Sequence, residues 1–300
     1  MHTWQKICGV AVVLLLLLPL MAGCNTGVAP YDPDKPLGRQ INYTITGIDA
    51  GSGEMAATER VLKQYGLTER NWQLQASSTA AMTAQLGRMI ANRQPIVVTG
   101  WQPHWMFTKY DLKFLKDPKN VYGSEEDIHT ICRQGLRADE PSAYTVLDRF
   151  YWTPAQMSDV MMRVNKGASP AKAADKWLAR HPKQVQQWLS GVPRVHGRKL
   201  KMTYVAWDSE IASSNVAAAL LRKVGYKVVL QSMEMQPMWA SIATKAADAM
   251  TCAWLPNTSS KYYHDYRSQV VDLGVNLRGA QVGLAVPKYM RDIDSINDLR

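Results

Sequence analysis

Phenylalanine is scarce in this chain, with three residues against ten tryptophans in 300. Bulky aromatic surface is therefore mostly indole, with tyrosine beside it. Cysteine is scarce as well. Cys8 and Cys24 fall in the N-terminal segment, which leaves Cys132 and Cys252 in different halves of the chain. That excludes a disulfide framework, and both thiols are expected to be reduced and buried. There is no GxSxG elbow, no GxxxxGK[ST] phosphate loop and no HExxH pair, so the common signatures of acyl transfer, nucleotide binding and zinc catalysis are missing. Ser52, His104, His129 and Cys132 are the nearest thing to a nucleophile set, and the stretch His129 to Cys132 has ligand types without a partner pair. No enzyme activity, metal or cofactor is expected. The formal charge of +10 is dispersed along the chain. Without a basic run or an interleaved aromatic stripe it marks no nucleic-acid footprint, and it suits an anionic lipid or cell-wall environment instead.

Long apolar runs are limited to one. Residues 7–20, ICGVAVVLLLLLPL, follow Lys6 and lead to Met21-Ala22-Gly23-Cys24, the pattern of a secretory signal. The run is too short to span a bilayer comfortably. Cysteine directly after Ala-Gly resembles the lipobox of bacterial lipoproteins, although Met21 stands where Leu is usual. This reading makes 1–23 a signal peptide, Cys24 the lipid-attachment residue and 24–37 a polar tether.

The whole chain is 46% hydrophobic, and what remains is long enough for two lobes. Two segments repeat one order of elements. The first reads as strand NYTITGID, turn GSG, helix EMAATERVLKQY stopped by Gly66, helix STAAMTAQLGRMIANRQ and strand PIVVTGW. The second reads as strand LKMTYVAW, helix DSEIASSNVAAALLRKV stopped by Gly225, strand YKVVLQSM, helix PMWASIATKAAD and strand AMTCAWLP. Alternating strands and helices predict parallel sheets covered by helices. Between the repeats, PSAYTVLDRF, TPAQMSDVMMRV and SPAKAADKWLARHPKQVQQWL read as capped helices that pack the lobes.

Three tryptophans stand apart from the rest. Trp101, Trp207 and Trp254 each lie where a strand-like run gives way to a polar turn, which is where α/β proteins bind ligands. Trp177, Trp188 and Trp239 sit in helix-like stretches and read as packing. Indole faces without a basic rim suit a small organic cation, because the ring face attracts positive charge and a quaternary ammonium needs no hydrogen bond. Asp49, Asp208 and Glu210 stand near the proposed site, each a candidate helix cap and Asp208 foremost.

The motifs GIDAGSGEM, PIVVTGWQPHWMF, DLKFLKDPK, YVAWDSEIAS, TCAWLPNT and VGLAVPKYM resemble the glycine betaine-binding proteins of osmoprotectant ABC importers over roughly residues 38–300. The GWQPHW segment comes first here, as in the subgroup with a domain-dislocated order. The resemblance implies an α/β, two-lobed periplasmic-binding-protein fold with two crossing strands and a ligand cleft between lobes. One lobe would hold 38–131 plus 283–300, the other 132–282. It further implies that Trp101, Trp207 and Trp254 form a prism around a trimethylammonium group, and that backbone amides at Gly53 and Glu54 hold the ligand carboxylate, as a helix N-terminus favours an anion. Relatives commonly carry His where this chain has Ser259, and His264 lies one helical turn on. Without that histidine, affinity is expected to be flat between about pH 5 and 8. The implied partners are an ABC permease and its ATPase, with membrane attachment by the lipid anchor, no nucleic acid and a monomeric state. Carnitine, choline and proline betaine share the cationic head and remain alternatives. Readings as an enzyme or a cell-wall adhesion lipoprotein are the rivals.

Overall fold

The computed structural model describes residues 29–299. Segment 1–23, read from the sequence as a signal peptide, and Cys24 lie outside the described residues. From Tyr31 onward the chain already packs on the body, since the Tyr31 amide donates to the Arg93 carbonyl at 2.8 Å and its hydroxyl to Asp292.

In chain order the first elements are α1 (Leu37–Gln40), β1 (Thr44–Thr46), α2 (Gly53–Gln64), β2 (Gln73–Gln75), α3 (Thr79–Ala91), β3 (Val97–Gln102), α4 (Met106–Lys109) and β4 (Leu112–Phe114). A connecting strand β5 (Glu126–Arg133) leads to helices α5 (Leu136–Asp139), α6 (Pro141–Arg149), α7 (Pro154–Asn165), α8 (Pro170–Arg180) and α9 (Pro182–Leu189). Then follow β6 (Lys199–Tyr204), α10 (Asp208–Val224), β7 (Lys227–Ser232), α11 (Met235–Ala243), β8 (Ala249–Leu255), α12 (Ser260–Tyr266) and the long β9 (Val270–Pro287).

The strands pair in the order β2-β1-β3-β9-β5-β8-β6-β7, with β4 also on β9. Each repeat therefore builds the same parallel trio, with its first strand in the middle: β2-β1-β3 in the first lobe, β7-β6-β8 in the second. The antiparallel β5 and β9 join the trios. Residues 270–280 of β9 pair with β5, whereas 281–287 pair with β3 and β4. Gly274 and Gly279 take φ of 93° and 76° beside register shifts in the β5/β9 pairing. Bulges with glycine in the left-handed region bend a strand, and here they carry β9 from one lobe into the other. The result is a two-lobed α/β fold.

Local signals explain the helices at the site. Ser52 caps α2 by accepting from the Met55 amide at 3.2 Å, and Gly66 ends its last turn at φ 62°. Helix α10 is buried almost all round because small residues, Ala212, Ser213, Ser214 and Ala217 to Ala219, let it lie between sheet and outer helices. Helices that are apolar on all sides belong in an interior. Over it pack α6 to α9, whose Phe150, Trp152, Trp177 and Trp188 form an edge-to-face and stacked cluster. Cys132 and Cys252 are free and buried, as expected.

Two sequence expectations for the outer helices change. SPAKAADKWLARHPKQVQQWL breaks into α8 and α9 at Pro182, which has no amide to continue the first helix. Helix α6 begins after Glu140 without a side-chain cap, because that carboxylate pairs with Arg198 at 2.6 Å.

Candidate functional site

In each trio the first crossover leaves the central strand for one edge and the second passes back over it to the other edge, so the loops after β1 and β3, and after β6 and β8, leave adjacent strands and open a crevice at the strand ends. One cavity of about 340 Å³, counting its mouth, lies where the two crevices meet. Trp101, Trp207, Trp254, Glu54 and Ser259 all line it, with Ser52, Ser209 and Glu210. The three indoles are nearly sealed from solvent, at 4%, 8% and 4% exposure.

Each indole is held at its edge. Trp101 ends β3 and donates from Nε1 to Ser209 Oγ at 3.1 Å. Trp207 precedes α10 and donates to Asp49 Oδ2 at 3.0 Å. Trp254 ends β8 and donates to Glu210 Oε1 at 2.8 Å. The first two bonds run from one lobe to the other. His104 adds a third crossing bond, and it also explains its own protonation. Its Nδ1 accepts from the Met106 amide, so Nε2 carries the proton and donates to Asp208 at 3.2 Å. Burial holds this imidazole below its usual pKa, and its ring lies edge-on to Trp101 at 4.3 Å between centroids. Asp208 is thus not a cap, since Trp207 occupies the N-cap position and no side-chain cap bond forms.

The opposite wall is the start of α2. The amides of Gly53 and Glu54 belong to the first turn, where no intrahelical carbonyl is available to them. Gly53 is not among the residues that line the cavity; it is one of the points where the lobes touch. A β-carbon there would stand 1.9 Å from the Thr258 carbonyl oxygen. Thr258 is fixed in turn by Glu126 of β5, whose Oε1 accepts from the Asn257 and Thr258 amides at 2.8 and 2.7 Å. Tyr262 closes the same seam by donating to the Gly51 carbonyl at 3.2 Å. These contacts describe a closed cleft.

Ser259 lines the cavity. Its Oγ accepts from the Trp254 amide at 3.1 Å, which leaves the hydroxyl proton free. His264 is exposed and pairs with Asp265 rather than reaching the cavity. The roles of three side chains are not legible in the sequence. Ser209 and Glu210 were in view within the WDSE motif, yet nothing local shows that they meet two indoles. Glu54 was read for its amide only.

Its carboxyl is 3% exposed, accepts from the Gly100 amide and leaves Oε1 without a partner. Burial, with Glu126 nearby, raises its pKa well above the usual carboxylate range. A carboxyl raised in the folded state stabilises fully below the unfolded pKa, and that contribution fades as pH climbs towards the folded one, at about 1.4 kcal/mol per unit. Glu54→Gln, which mimics the protonated acid, is therefore expected to raise stability at pH 8 and to change it little at pH 4.5. Urea unfolding at the two pH values checks this; an equal effect at both would refute it.

Among the described residues no group of His, Cys, Asp and Glu is placed to hold a metal ion, and no helix is long and apolar enough to cross a membrane.

The family model described as "Substrate binding domain of ABC-type glycine betaine transport system" matches residues 30–180 and 198–300. The "Glycine betaine/carnitine transport binding protein GbuC" of Listeria monocytogenes serotype 1/2a (strain 10403S) is 61% identical over 288 residues, 96% of either chain. Lactococcal OpuAC, solved in its closed-liganded conformation complexed with glycine betaine, is 44% identical over 55% of this chain and 64% of that one, with a TM-score of 0.49. The glycine/betaine/L-proline-binding protein (ProX) of Borrelia burgdorferi is 33% identical over 55% of this chain and 63% of that one, also at TM-score 0.49. The chain spans a little under two thirds of each of these two solved proteins. The matched family model and the 61% identical relative together cover nearly all of the described residues, and the chain belongs to the family of substrate-binding domains of ABC-type glycine betaine transport systems.

Proposed function

We propose that the cavity captures glycine betaine, or a close quaternary ammonium relative such as carnitine, proline betaine or choline, and that the chain delivers it without chemical change to an ABC permease and its ATPase. One observation carries this reading: the three indoles lining the cavity each donate their N–H to a protein acceptor, Ser209, Asp49 or Glu210. That leaves ring faces for a cation. The trimethylammonium group sits among Trp101, Trp207 and Trp254, and the carboxylate docks on the amides of Gly53 and Glu54 with the Ser259 hydroxyl as a further donor. Helix α10 also starts at the cavity, but its first turn holds two acids, Asp208 and Glu210, against the one, Glu54, in the first turn of α2, so the anion is assigned to α2.

Three desolvated indole contacts contribute roughly 3 to 6 kcal/mol in gross terms, and charge-assisted bonds about 1.5 to 3 kcal/mol each. After ordering terms, binding of about 8 kcal/mol, a micromolar Kd, is the expected scale. The lobe division 38–131 with 283–300 against 132–282 belongs to this proposal, with all of β5 moving with the second lobe because it pairs with β8, as does an extracytoplasmic place for a monomer tethered by lipidated Cys24.

A thermal-shift titration of the form lacking residues 1–24 tests the ligand class. Glycine betaine at about 100 times its Kd adds about 2.7 kcal/mol, a rise in Tm of roughly 5–10 °C, and is recovered intact. No concentration-dependent shift with any of the four compounds would reject the reading.

A further inference from the structure

Two of the cavity's three indoles converge on one carboxylate. Trp254 donates to Glu210 Oε1 at 2.8 Å, the Ser209 hydroxyl donates to Glu210 Oε2, and Trp101 donates to Ser209 Oγ at 3.1 Å. Ser209 and Glu210 are both buried. Trp101 comes from the first lobe and the other three from the second, so this chain of bonds crosses the cleft.

We propose that Glu210, acting directly on Trp254 and through Ser209 on Trp101, is a positioning residue that sets both ring planes around the ligand's cation and holds them across the closed cleft. This rests on the quaternary ammonium reading of the cavity. An indole N–H lies in the ring plane, so a bond to it fixes rotation of the ring and leaves the face free. A carboxylate acceptor also adds negative charge at the ring edge, which strengthens the attraction of the face for a cation in a water-poor site.

Glu210 is only 2% exposed, and burial pushes its pKa up to about 7 against the bonds from Ser209 and Trp254. Asp208 on the same helix raises it further. The Cys252 thiol on β8 is itself shifted up by burial and by Glu210, and His104 meets Asp208 rather than Glu210. Across the cleft stand Asp49, bound to Trp207, and Glu54. An incoming quaternary cation favours the ionised form of Glu210, so binding expels a proton and tightens as pH rises through 7. This replaces the flat profile expected from the missing histidine: the titrating group is a buried carboxyl that no sequence spacing reveals.

The test is calorimetric titration of the full chain in detergent micelles with glycine betaine from pH 5.5 to 8.5, in buffers of different ionisation enthalpy. Wild type is expected to tighten about tenfold over that range with proton release. Glu210→Gln keeps the acceptor for Trp254 and loses the charge; it is expected to bind about tenfold more weakly at pH 8.5, without the tightening as pH rises. Ser209→Ala is expected to weaken binding and retain the slope. A flat wild-type profile, or a Glu210→Gln profile that keeps the wild-type slope, overturns the proposal. A second readout needs no ligand: indole fluorescence of the unliganded protein changes with the titration of Glu210 in wild type and shows no such change in Glu210→Gln. If that titration is present while none of the four ligands binds, the cavity's assignment fails and the Glu210–indole coupling stands by itself. If it is absent, the coupling fails whatever binds.

Discussion

Trp101→Ala, Trp207→Ala and Trp254→Ala are each expected to weaken glycine betaine binding by about thirtyfold, because a desolvated cation over one indole is worth about 2 kcal/mol and each 1.4 kcal/mol is a decade. The losses should not be equal. Removing Trp254 also strips Glu210 of its 2.8 Å donor, so a buried carboxylate loses a bond and its charge becomes harder to keep. Removing Trp207 frees Asp49, which is partly exposed and regains water. Trp254→Ala should therefore be the worst of the three and Trp207→Ala the mildest. All three rings are buried, so truncation also leaves a void. Trp→Phe at each position separates the effects, since it keeps an apolar face and loses the N–H. Calorimetry beside far-UV circular dichroism decides: near-wild-type affinity in any two alanine variants that remain folded rejects the cage.

What the sequence makes legible is what is local. Strand runs stopped by Gly66 and Gly225, and a cap at Ser52, mark the repeated elements, and those repeats become the two parallel trios. The three tryptophans stand out because each ends a strand run, and strand ends are where the crevices open. What stays hidden depends on pairing between distant residues. The three-residue β2 and β4 carry too little pattern to be called strands. The crossing of β9 depends on glycine bulges that take meaning only opposite β5. Asp208 reads as a cap because its place before a helix is visible, whereas its bond to His104, 104 residues away in sequence, is not. Glu210 is the strongest case. In the motif it is one more acid at a helix start, and only the folded site reveals that two tryptophans from different repeats bond to it, one of them through Ser209.

Gly53→Ala is expected to lower affinity by a hundredfold or more while leaving the unliganded fold intact. The added β-carbon would stand 1.9 Å from the Thr258 carbonyl oxygen and 2.7 Å from its carbon. That backbone cannot step aside, because Glu126 holds the amides of Asn257 and Thr258 from below. The relief available is to part the lobes, which also pulls Trp101 from Ser209 and Trp207 from Asp49. A ligand bound to one lobe alone keeps only part of its contacts, and an equilibrium shifted away from the closed form lowers apparent affinity by the lost population. The open form has no reason to suffer, since alanine is a better helix residue than glycine. Gly51→Ala supplies the control: nothing lies within 4 Å of its β-carbon position, so its affinity should match wild type. Small-angle scattering with saturating glycine betaine should show compaction in wild type and in Gly51→Ala, and none in Gly53→Ala. If Gly53→Ala binds within threefold of wild type, contact between α2 and the loop after β8 is not what shuts the cleft.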